Sequence, residues 1–213
     1  MSHNTWIHRG VRPSVRLLAR TTITPNHVTT LRLVTGIAAA LAVSAGSGIW
    51  LHVGGVLFTI SVALDRIDGE LARLTGTMSQ WGHRYDLVSD AVVNMAIFIG
   101  IGYRMQVGAF GVWAMPMGMA AGLSVVLIQW QVMHIEERTG KHTAQLPSFA
   151  GFDADDAILV VPLAIWVGGA EPLLATAAII APIFAIFLFS SSALQQLGKM
   201  ALSAAGISDF LGR

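Results

Sequence analysis

The sequence predicts an all-α membrane protein, with six transmembrane helices in one bundle preceded by a cytoplasmic amphipathic surface helix. Of its 213 residues, 54% are apolar and only 12% are charged, whereas soluble domains carry about 25% charged residues. Six stretches meet or approach the roughly 20 apolar residues that a helix needs to cross a bilayer. The alternation of apolar and polar residues that is typical of transmembrane barrels is absent, so the spans are expected to be helices.

Residues 1–27 are predicted to form an amphipathic juxtamembrane segment. Four arginines recur at helical spacing on one face: Arg9, Arg12, Arg16 and Arg20. Val11, Val15 and Leu18 lie on another face. This pattern is typical of a helix that lies on an anionic membrane surface, and a basic flank with no further role is the alternative. Thr24-Pro25-Asn26 then breaks the chain before the first span.

The transmembrane domain is predicted over residues 28–197, with residues 198–213 as a cytoplasmic tail. Its spans are expected at about 28–46, 50–75, 82–104, 108–134, 154–169 and 172–197. Within the fourth span, Gly118 and Gly122 form a small-xxx-small pair. This pair predicts close helix packing inside the chain, and a dimer seam is the alternative.

The basic residues predict the orientation in the membrane. With six spans, twelve of the thirteen Lys and Arg residues lie on the side of the two termini, and only Arg104 lies opposite. By the positive-inside rule, that side is cytoplasmic, in a bacterial or archaeal cytoplasmic membrane. The net charge of +1 gives no electrostatic case for nucleic acid. Because the chain contains no cysteine, disulfides and thiolate chemistry are excluded.

Four aspartates at the ends of two apolar spans are the candidate functional residues. Asp65 and Asp68 share a face of the second span, and Asp86 and Asp90 share a face of the third. A turn at about 75–81 folds these spans antiparallel, so the two acidic faces can converge. Ionisable groups at membrane depth are costly and indicate function.

Crowded carboxylates repel one another, and a hard divalent cation relieves the repulsion. Oxygen ligands suit Mg²⁺, Mn²⁺ or Ca²⁺ and disfavour zinc, and four carboxylates can hold two ions that clamp a phosphoryl displacement. Arg73 adds a permanent cation suited to a diphosphate. The alternative is a salt-bridged network in which Arg66, Arg73 and Arg84 neutralise the aspartates.

The aspartates belong to a longer pattern, Asp65-x2-Asp68-Gly69-x2-Ala72-Arg73-x8-Gly82-x3-Asp86-x3-Asp90. This pattern resembles in full the signature of the CDP-alcohol phosphotransferases, the CDP-alcohol phosphatidyltransferase family. All eight fixed positions and every spacing agree. The resemblance extends to the six spans and to the stretch Thr24-Pro25-Asn26-x2-Thr29.

The resemblance implies roles for individual residues. Asp65, Asp68 and Asp86 would be metal ligands, and Asp90 would be both a ligand and the base that takes the proton of the acceptor hydroxyl. The donor-binding residues would be Asn26, Thr29, Gly69, Ala72, Arg73, Ser79 and Gly82. The resemblance also implies two divalent cations, Mg²⁺ or Mn²⁺, a homodimer, and an active site open to lipid at the cytoplasmic boundary.

The function implied is transfer of a substituted phosphate group, phosphatidyl from CDP-diacylglycerol, to the hydroxyl of an alcohol, with release of CMP, in phospholipid biosynthesis. A small CDP-alcohol donor with a lipid or polyol-phosphate acceptor is the alternative within the family. Two alternative functions lie outside this family: an aspartate-rich intramembrane prenyltransferase and a cation transporter. The signature does not identify the acceptor. The acidic segment 152–156 is expected to cap a helix, or else to favour a cationic or polyol acceptor.

Overall fold

The structure is a computed structural model that describes residues 6–46, 48–139 and 158–204. The helices are α1 (Trp6–Leu18), α2 (Pro25–Ala45), α3 (Gly48–Thr75), α4 (Gln80–Arg104), α5 (Ala114–Thr139), α6 (Val160–Trp166) and α7 (Ala170–Ala204). Two short 3-10 turns, Met105–Val107 and Gly111–Trp113, join α4 to α5. These three ranges contain no strand, which confirms the all-α prediction.

Five helices are long and apolar enough to cross a membrane: α2, α3, α4, α5 and α7. Many of their large apolar side chains are exposed, among them Leu41, Ile186 and Phe187, each more than 60% exposed. Apolar surface of this extent is costly in water but faces lipid in a bilayer. The chain is an integral membrane protein.

The fifth predicted span, 154–169, is not confirmed as a membrane-crossing helix. Its described part, residues 158–169, contains α6, whose seven residues extend over roughly 10 Å. This helix ends before Gly168, which adopts a left-handed φ of 75°. The first residues of the predicted span, and the acidic segment 152–156, lie outside the described residues.

Two other helices differ from their predicted bounds. The fourth span was expected from residue 108, but α5 begins at Ala114 because the preceding residues form the two 3-10 turns, with Gly111 at φ 51°. The sixth span was expected to end at residue 197, and α7 continues to Ala204. The first three spans match their predicted ranges to within three residues.

Helices α5 and α7 pack against each other. Near their C-terminal ends Gln131 donates a hydrogen bond of 2.6 Å to Ser192 Oγ, and Trp130 stacks on Phe189. In α6, Trp166 packs beside Gly55 in the first turns of α3.

The amphipathic α1 packs against the bundle. Val15 is 1% exposed and forms a small apolar cluster with Val28 of α2 and Leu71 of α3. The predicted apolar face therefore has a protein partner. Leu71 lies one turn beyond Asp68, so α1 covers the end of α3 that carries the aspartates.

Close glycine contacts join α4 to α5. A Cβ on Gly118 would meet the Phe98 carbonyl oxygen and would lie 3.0 Å from Gly102 Cα. A Cβ on Gly122 would lie 3.2 Å from Met95 Cα. The prediction of close packing inside the chain is confirmed, and this glycine face is not available as a dimer seam.

Candidate active site

The turn between α3 and α4 brings the two acidic faces together. Gly76 adopts a left-handed φ of 65°, a conformation that glycine enters without steric cost. Ser79 then caps α4, because its Oγ accepts a hydrogen bond of 3.0 Å from the Gly82 amide. The tight connection of residues 76–79 makes α3 and α4 antiparallel neighbours, as the sequence predicted.

Three of the four aspartates converge on one point. Asp65, Asp68 and Asp86 each offer one carboxylate oxygen, and these oxygens all lie within 4.8 Å of one another. Asp68 is buried, and its Oδ2 accepts a hydrogen bond of 2.8 Å from Thr29 of α2. Thr29 was predicted to line the donor pocket, and in the structure it holds Asp68 in place.

A buried arginine of α2 lies between the aspartates. The Nη1 atom of Arg32 is 2.7 Å from Asp65 Oδ1 and 2.6 Å from Asp86 Oδ1. Its Nη2 atom binds Asp90 Oδ1. The Arg32 side chain is only 2% exposed. It links α2 to both acidic helices.

Asp90 lies outside the group of three and is surrounded by donors. Its Oδ1 accepts hydrogen bonds from Arg32 and from Asn94 Nδ2, the latter at 3.1 Å. Its Oδ2 accepts a hydrogen bond from Gln129 Nε2 of α5. Arg32 is therefore the group that connects Asp90 to Asp65 and Asp86.

Three predicted donor-binding residues meet at the start of α4. A Cβ on Gly82 would lie 3.0 Å from Ser79 Oγ and 3.2 Å from Asn26 Oδ1. The absence of a side chain at Gly82 thus allows the polar atoms of both residues to approach the helix closely. This group lies one helical turn from Asp86, on the same helix.

Besides Thr29, three more predicted donor-binding residues follow Asp68 on α3. Gly69 and Ala72 are half-buried. Arg73 is exposed, and its Nη2 atom lies 2.9 Å from Glu70 Oε2. The guanidinium of Arg73, which was predicted to suit a diphosphate, lies near the C-terminal end of α3 and is paired with Glu70 in this structure.

Sequence reasoning missed Arg32 and Gln129. The prediction treated Arg32 as a cation at the end of a span and sought neutralising partners in Arg66, Arg73 and Arg84. Arg66 does contact Asp65, at 3.1 Å, yet the central cation is Arg32. A signal was available, since a charged residue inside a span needs an internal partner, and residue 32 follows Thr29 on the same helical face.

The donor chemistry of the three converging aspartates fits a divalent cation. Their ligands are all oxygen, as Mg²⁺ and Mn²⁺ require. Two guanidinium groups, those of Arg32 and Arg66, contact the cluster of four aspartates, so negative charge remains in excess. The predicted divalent cation therefore has suitable ligands and a reason to bind.

Comparison with known proteins shows relatives of this chain. A phosphatidylinositol phosphate synthase of Corynebacterium glutamicum is 27% identical over 154 residues, which make up 71% of this chain and 64% of that protein. Another from Cutibacterium acnes is 34% identical over 91 residues, 43% of each chain. The chain thus aligns with less than two thirds of the length of these curated relatives.

Solved structures show the same fold. The phosphatidylinositol phosphate synthase of Mycobacterium tuberculosis with CDP-DAG bound is 23% identical to this chain, with a TM-score of 0.55 over 84% of this chain and 93% of that one. The same enzyme in complex with manganese and citrate gives a TM-score of 0.54. At this identity the likeness shows the fold alone.

The family is shown by a longer match. The family model described as CDP-alcohol phosphatidyltransferase matches residues 22–171, well over half of the chain. The matched range contains the complete signature from Asp65 to Asp90 and the helix that carries Arg32. On these grounds the chain belongs to the CDP-alcohol phosphatidyltransferase family.

Proposed function

We propose that this protein transfers a phosphatidyl group from CDP-diacylglycerol to the hydroxyl of an alcohol and releases CMP. The observation that carries the proposal is the convergence of Asp65, Asp68 and Asp86 within 4.8 Å, beside the polar group of Asn26, Ser79 and Gly82. Family membership supports the reaction class. The CDP-DAG bound to the structurally similar mycobacterial enzyme supports the donor.

Asp65, Asp68 and Asp86 would hold a divalent cation, Mg²⁺ or Mn²⁺, and Asp90 would complete the site for a second. When bound, such a cation supplies Lewis-acid stabilisation of the charge on the phosphate oxygens. The chain contributes by fixing the ligands, because Thr29 orients Asp68 and Arg32 orients Asp65 and Asp86. Positioning of this kind is a major part of catalysis in phosphoryl transfer.

Asp90 would take the proton from the acceptor. The hydroxyl oxygen of the alcohol forms a bond to the phosphorus that bears diacylglycerol, and the bond from that phosphorus to the bridging oxygen breaks. CMP leaves with that oxygen, and the hydroxyl proton passes to the carboxylate of Asp90. Asp90 suits this role because its side chain is 31% exposed.

The CDP part of the donor would lie across the start of α4 and the end of α3. Asn26 and Ser79, whose polar atoms approach Gly82 closely, would supply hydrogen-bonding groups to the CDP part. Arg73 would break its contact with Glu70 and bind the diphosphate instead, because a guanidinium can donate two hydrogen bonds to such a group. Because Gly69 and Ala72 have little or no side chain, the donor could approach the aspartates along this face of α3.

The test is a screen of purified protein with CDP-diacylglycerol and Mn²⁺ against single alcohols, following CMP release and product mass. Inositol phosphate is the first acceptor to test, because the relatives are named phosphatidylinositol phosphate synthases. Glycerol 3-phosphate, inositol and serine follow. A second set of reactions uses small CDP-alcohols as donors and diacylglycerol as the acceptor. CMP release only in this second set would contradict CDP-diacylglycerol as the donor.

The role of Asp90 has a separate test. Asp90→Asn keeps the shape of the side chain but removes the base, so we expect turnover to fall at least about a hundredfold. Binding of CDP should persist, as measured by protection against thermal unfolding. Substantial turnover in this variant would rule out Asp90 as the base.

We also propose that the chain crosses the membrane six times with the site on the cytoplasmic side, and that it forms a homodimer. The apolar stretch 154–169, which includes α6, supports a sixth crossing. The positive-inside distribution supports the orientation. Resemblance to the family supports the dimer, which cross-linking in native membranes would test.

A further inference from the structure

Both oxygens of the Asp90 carboxylate are already held by the chain itself. Arg32 and Asn94 donate to Oδ1, and Gln129 donates to Oδ2. By contrast, Asp65, Asp68 and Asp86 present oxygens that converge without any contribution from Asp90. Arg32 Nη1 also contacts one oxygen each of Asp65 and Asp86, but Asp68 is bonded by Thr29 through Oδ2 only, and Arg32 binds Asp86 through Oδ1 only. The group of three therefore keeps carboxylate oxygens available to a cation, whereas at Asp90 a cation must first replace a donor.

The donor to be replaced is a permanent cation. Arginine does not lose its charge in proteins, and the Arg32 guanidinium bridges Asp65, Asp86 and Asp90 through its two Nη atoms. A divalent ion shared by these same three carboxylates would meet the guanidinium at close range. Like charges this near repel strongly, because the guanidinium itself is buried.

We propose that Arg32 competes with the second divalent cation for Asp90, so that cations load in a fixed order. The first ion binds Asp65, Asp68 and Asp86 with Arg32 in place. The second reaches Asp90 only when the Nη2 atom of Arg32 leaves it. A diphosphate in the site would favour that exchange, since it offers the guanidinium a new anionic partner. This inference rests on the proposed function only for the identity of that diphosphate.

The arrangement also gives Arg32 a role before any metal binds. It connects α2 with α3 and α4 through three charged contacts, and Ser61 of α3 donates a hydrogen bond of 3.0 Å to its backbone carbonyl. Removal of the arginine would leave the carboxylates without their central counter-ion. Arg32 is thus a positioning residue whose effect shows in metal binding as well as in turnover.

The experiment is a Mn²⁺ titration of the metal-stripped full-length protein in detergent, without donor, with free Mn²⁺ followed by electron paramagnetic resonance. The wild type should bind one ion tightly and a second about tenfold or more weakly, the scale of a lost partner at a metal site. Arg32→Gln should bring the two affinities to within about threefold. The ratio of the two Mn²⁺ affinities is the diagnostic quantity, because loss of a nearby positive charge strengthens Mn²⁺ binding at both sites.

Two further variants serve as controls. Arg84→Gln removes an exposed arginine of the same α4 region without touching Asp90, and it should keep the wild-type ratio. Arg32→Lys retains a cation and should keep ordered loading. Added CDP should strengthen the second site in the wild type and not in Arg32→Gln.

Two outcomes would overturn the inference: two ions of nearly equal affinity in the wild type, or an unchanged ratio in a folded Arg32→Gln. The wild-type result decides the matter even if Arg32→Gln does not fold. Failure of the proposed function is a different observation, namely no CMP release from any CDP donor. Ordered Mn²⁺ loading can be present or absent independently of that result.

Discussion

At the scale of single residues, the site depends on neighbours that hold the carboxylates. Thr29 reaches Asp68 from another helix, over a distance of 2.8 Å. Gln129 reaches Asp90 from α5 in the same way. Groups that orient metal ligands commonly change metal affinity or activity by 10–100-fold when they are removed. Both residues therefore lend themselves to direct tests.

Thr29→Val should weaken Mn²⁺ binding by about 10–100-fold, because the buried Asp68 loses its hydrogen-bond donor while the side-chain volume is kept. The measurement is a Mn²⁺ titration of the stripped protein. Thr30→Val is the matched control, since Thr30 bonds Tyr85 at 2.9 Å and contacts no aspartate. Equal affinity in the two variants would show that Thr29 does not position Asp68.

Gln129→Leu should lower kcat by about 10–100-fold and leave KM for the CDP donor nearly unchanged. The physical reason is that the Asp90 carboxylate loses the donor that fixes Oδ2. Steady-state CMP release at saturating Mn²⁺ measures both constants. Gln131→Leu loses only the bond to Ser192 and should keep kcat within about threefold. A parallel rise in KM would point instead to a general distortion of the site.

At the scale of elements, the close approach of α4 and α5 places Gln129 beside Asp90. The approach depends on Gly118, where a Cβ would overlap the Phe98 carbonyl oxygen. Inserting a methyl group into such a contact commonly costs about 1–3 kcal/mol. Gly118 therefore allows α4 and α5 to pack closely, and this packing places the side-chain amide of Gln129 beside Asp90, the proposed base.

Gly118→Ala should lower the free energy of unfolding by about 1–3 kcal/mol and reduce CMP release. Thermal unfolding in detergent measures the first effect. Gly48→Ala is the control, because a Cβ there meets nothing within 4 Å, and it should be near neutral. Unchanged stability in Gly118→Ala would mean that the α4–α5 packing is looser than the structure shows.

The elements also mark the limits of sequence reasoning. Long apolar runs predicted α2, α3 and α4 to within three residues, because burial in lipid requires about 20 residues. The connection into α5 was misplaced, since the two 3-10 turns are largely apolar in sequence. The predicted span 154–169 was the shortest apolar run, and the α-helix in its described part has only the seven residues of α6.

At the scale of the whole molecule, orientation is the main testable property. The turn between α3 and α4 and the connection between α4 and α5 lie at opposite ends of α4, roughly 37 Å apart for its 25 residues. Because the chain has no cysteine, a single introduced thiol reports on one position. Met78 and Val107 are suitable sites, since they are 72% and 89% exposed.

Val107→Cys should react with a membrane-impermeant maleimide in intact cells, whereas Met78→Cys should react only after the cells are opened. This result follows if the aspartates lie at the cytoplasmic boundary. Activity of both variants in membranes is the control for folding. The reverse labelling pattern would place the site on the outer face and contradict the positive-inside assignment.

The sequence by itself determined the class of the molecule, the helices that carry the signature and the identity of the four aspartates. These features depend on composition and on spacings within about 26 residues, which local helical geometry converts into shared faces. Only the tertiary structure decided which groups meet those aspartates. Arg32 and Gln129 come from helices distant in sequence, and nothing in local spacing specifies which face of α2 or α5 turns towards Asp90. That choice is made by packing, through contacts such as the one at Gly118.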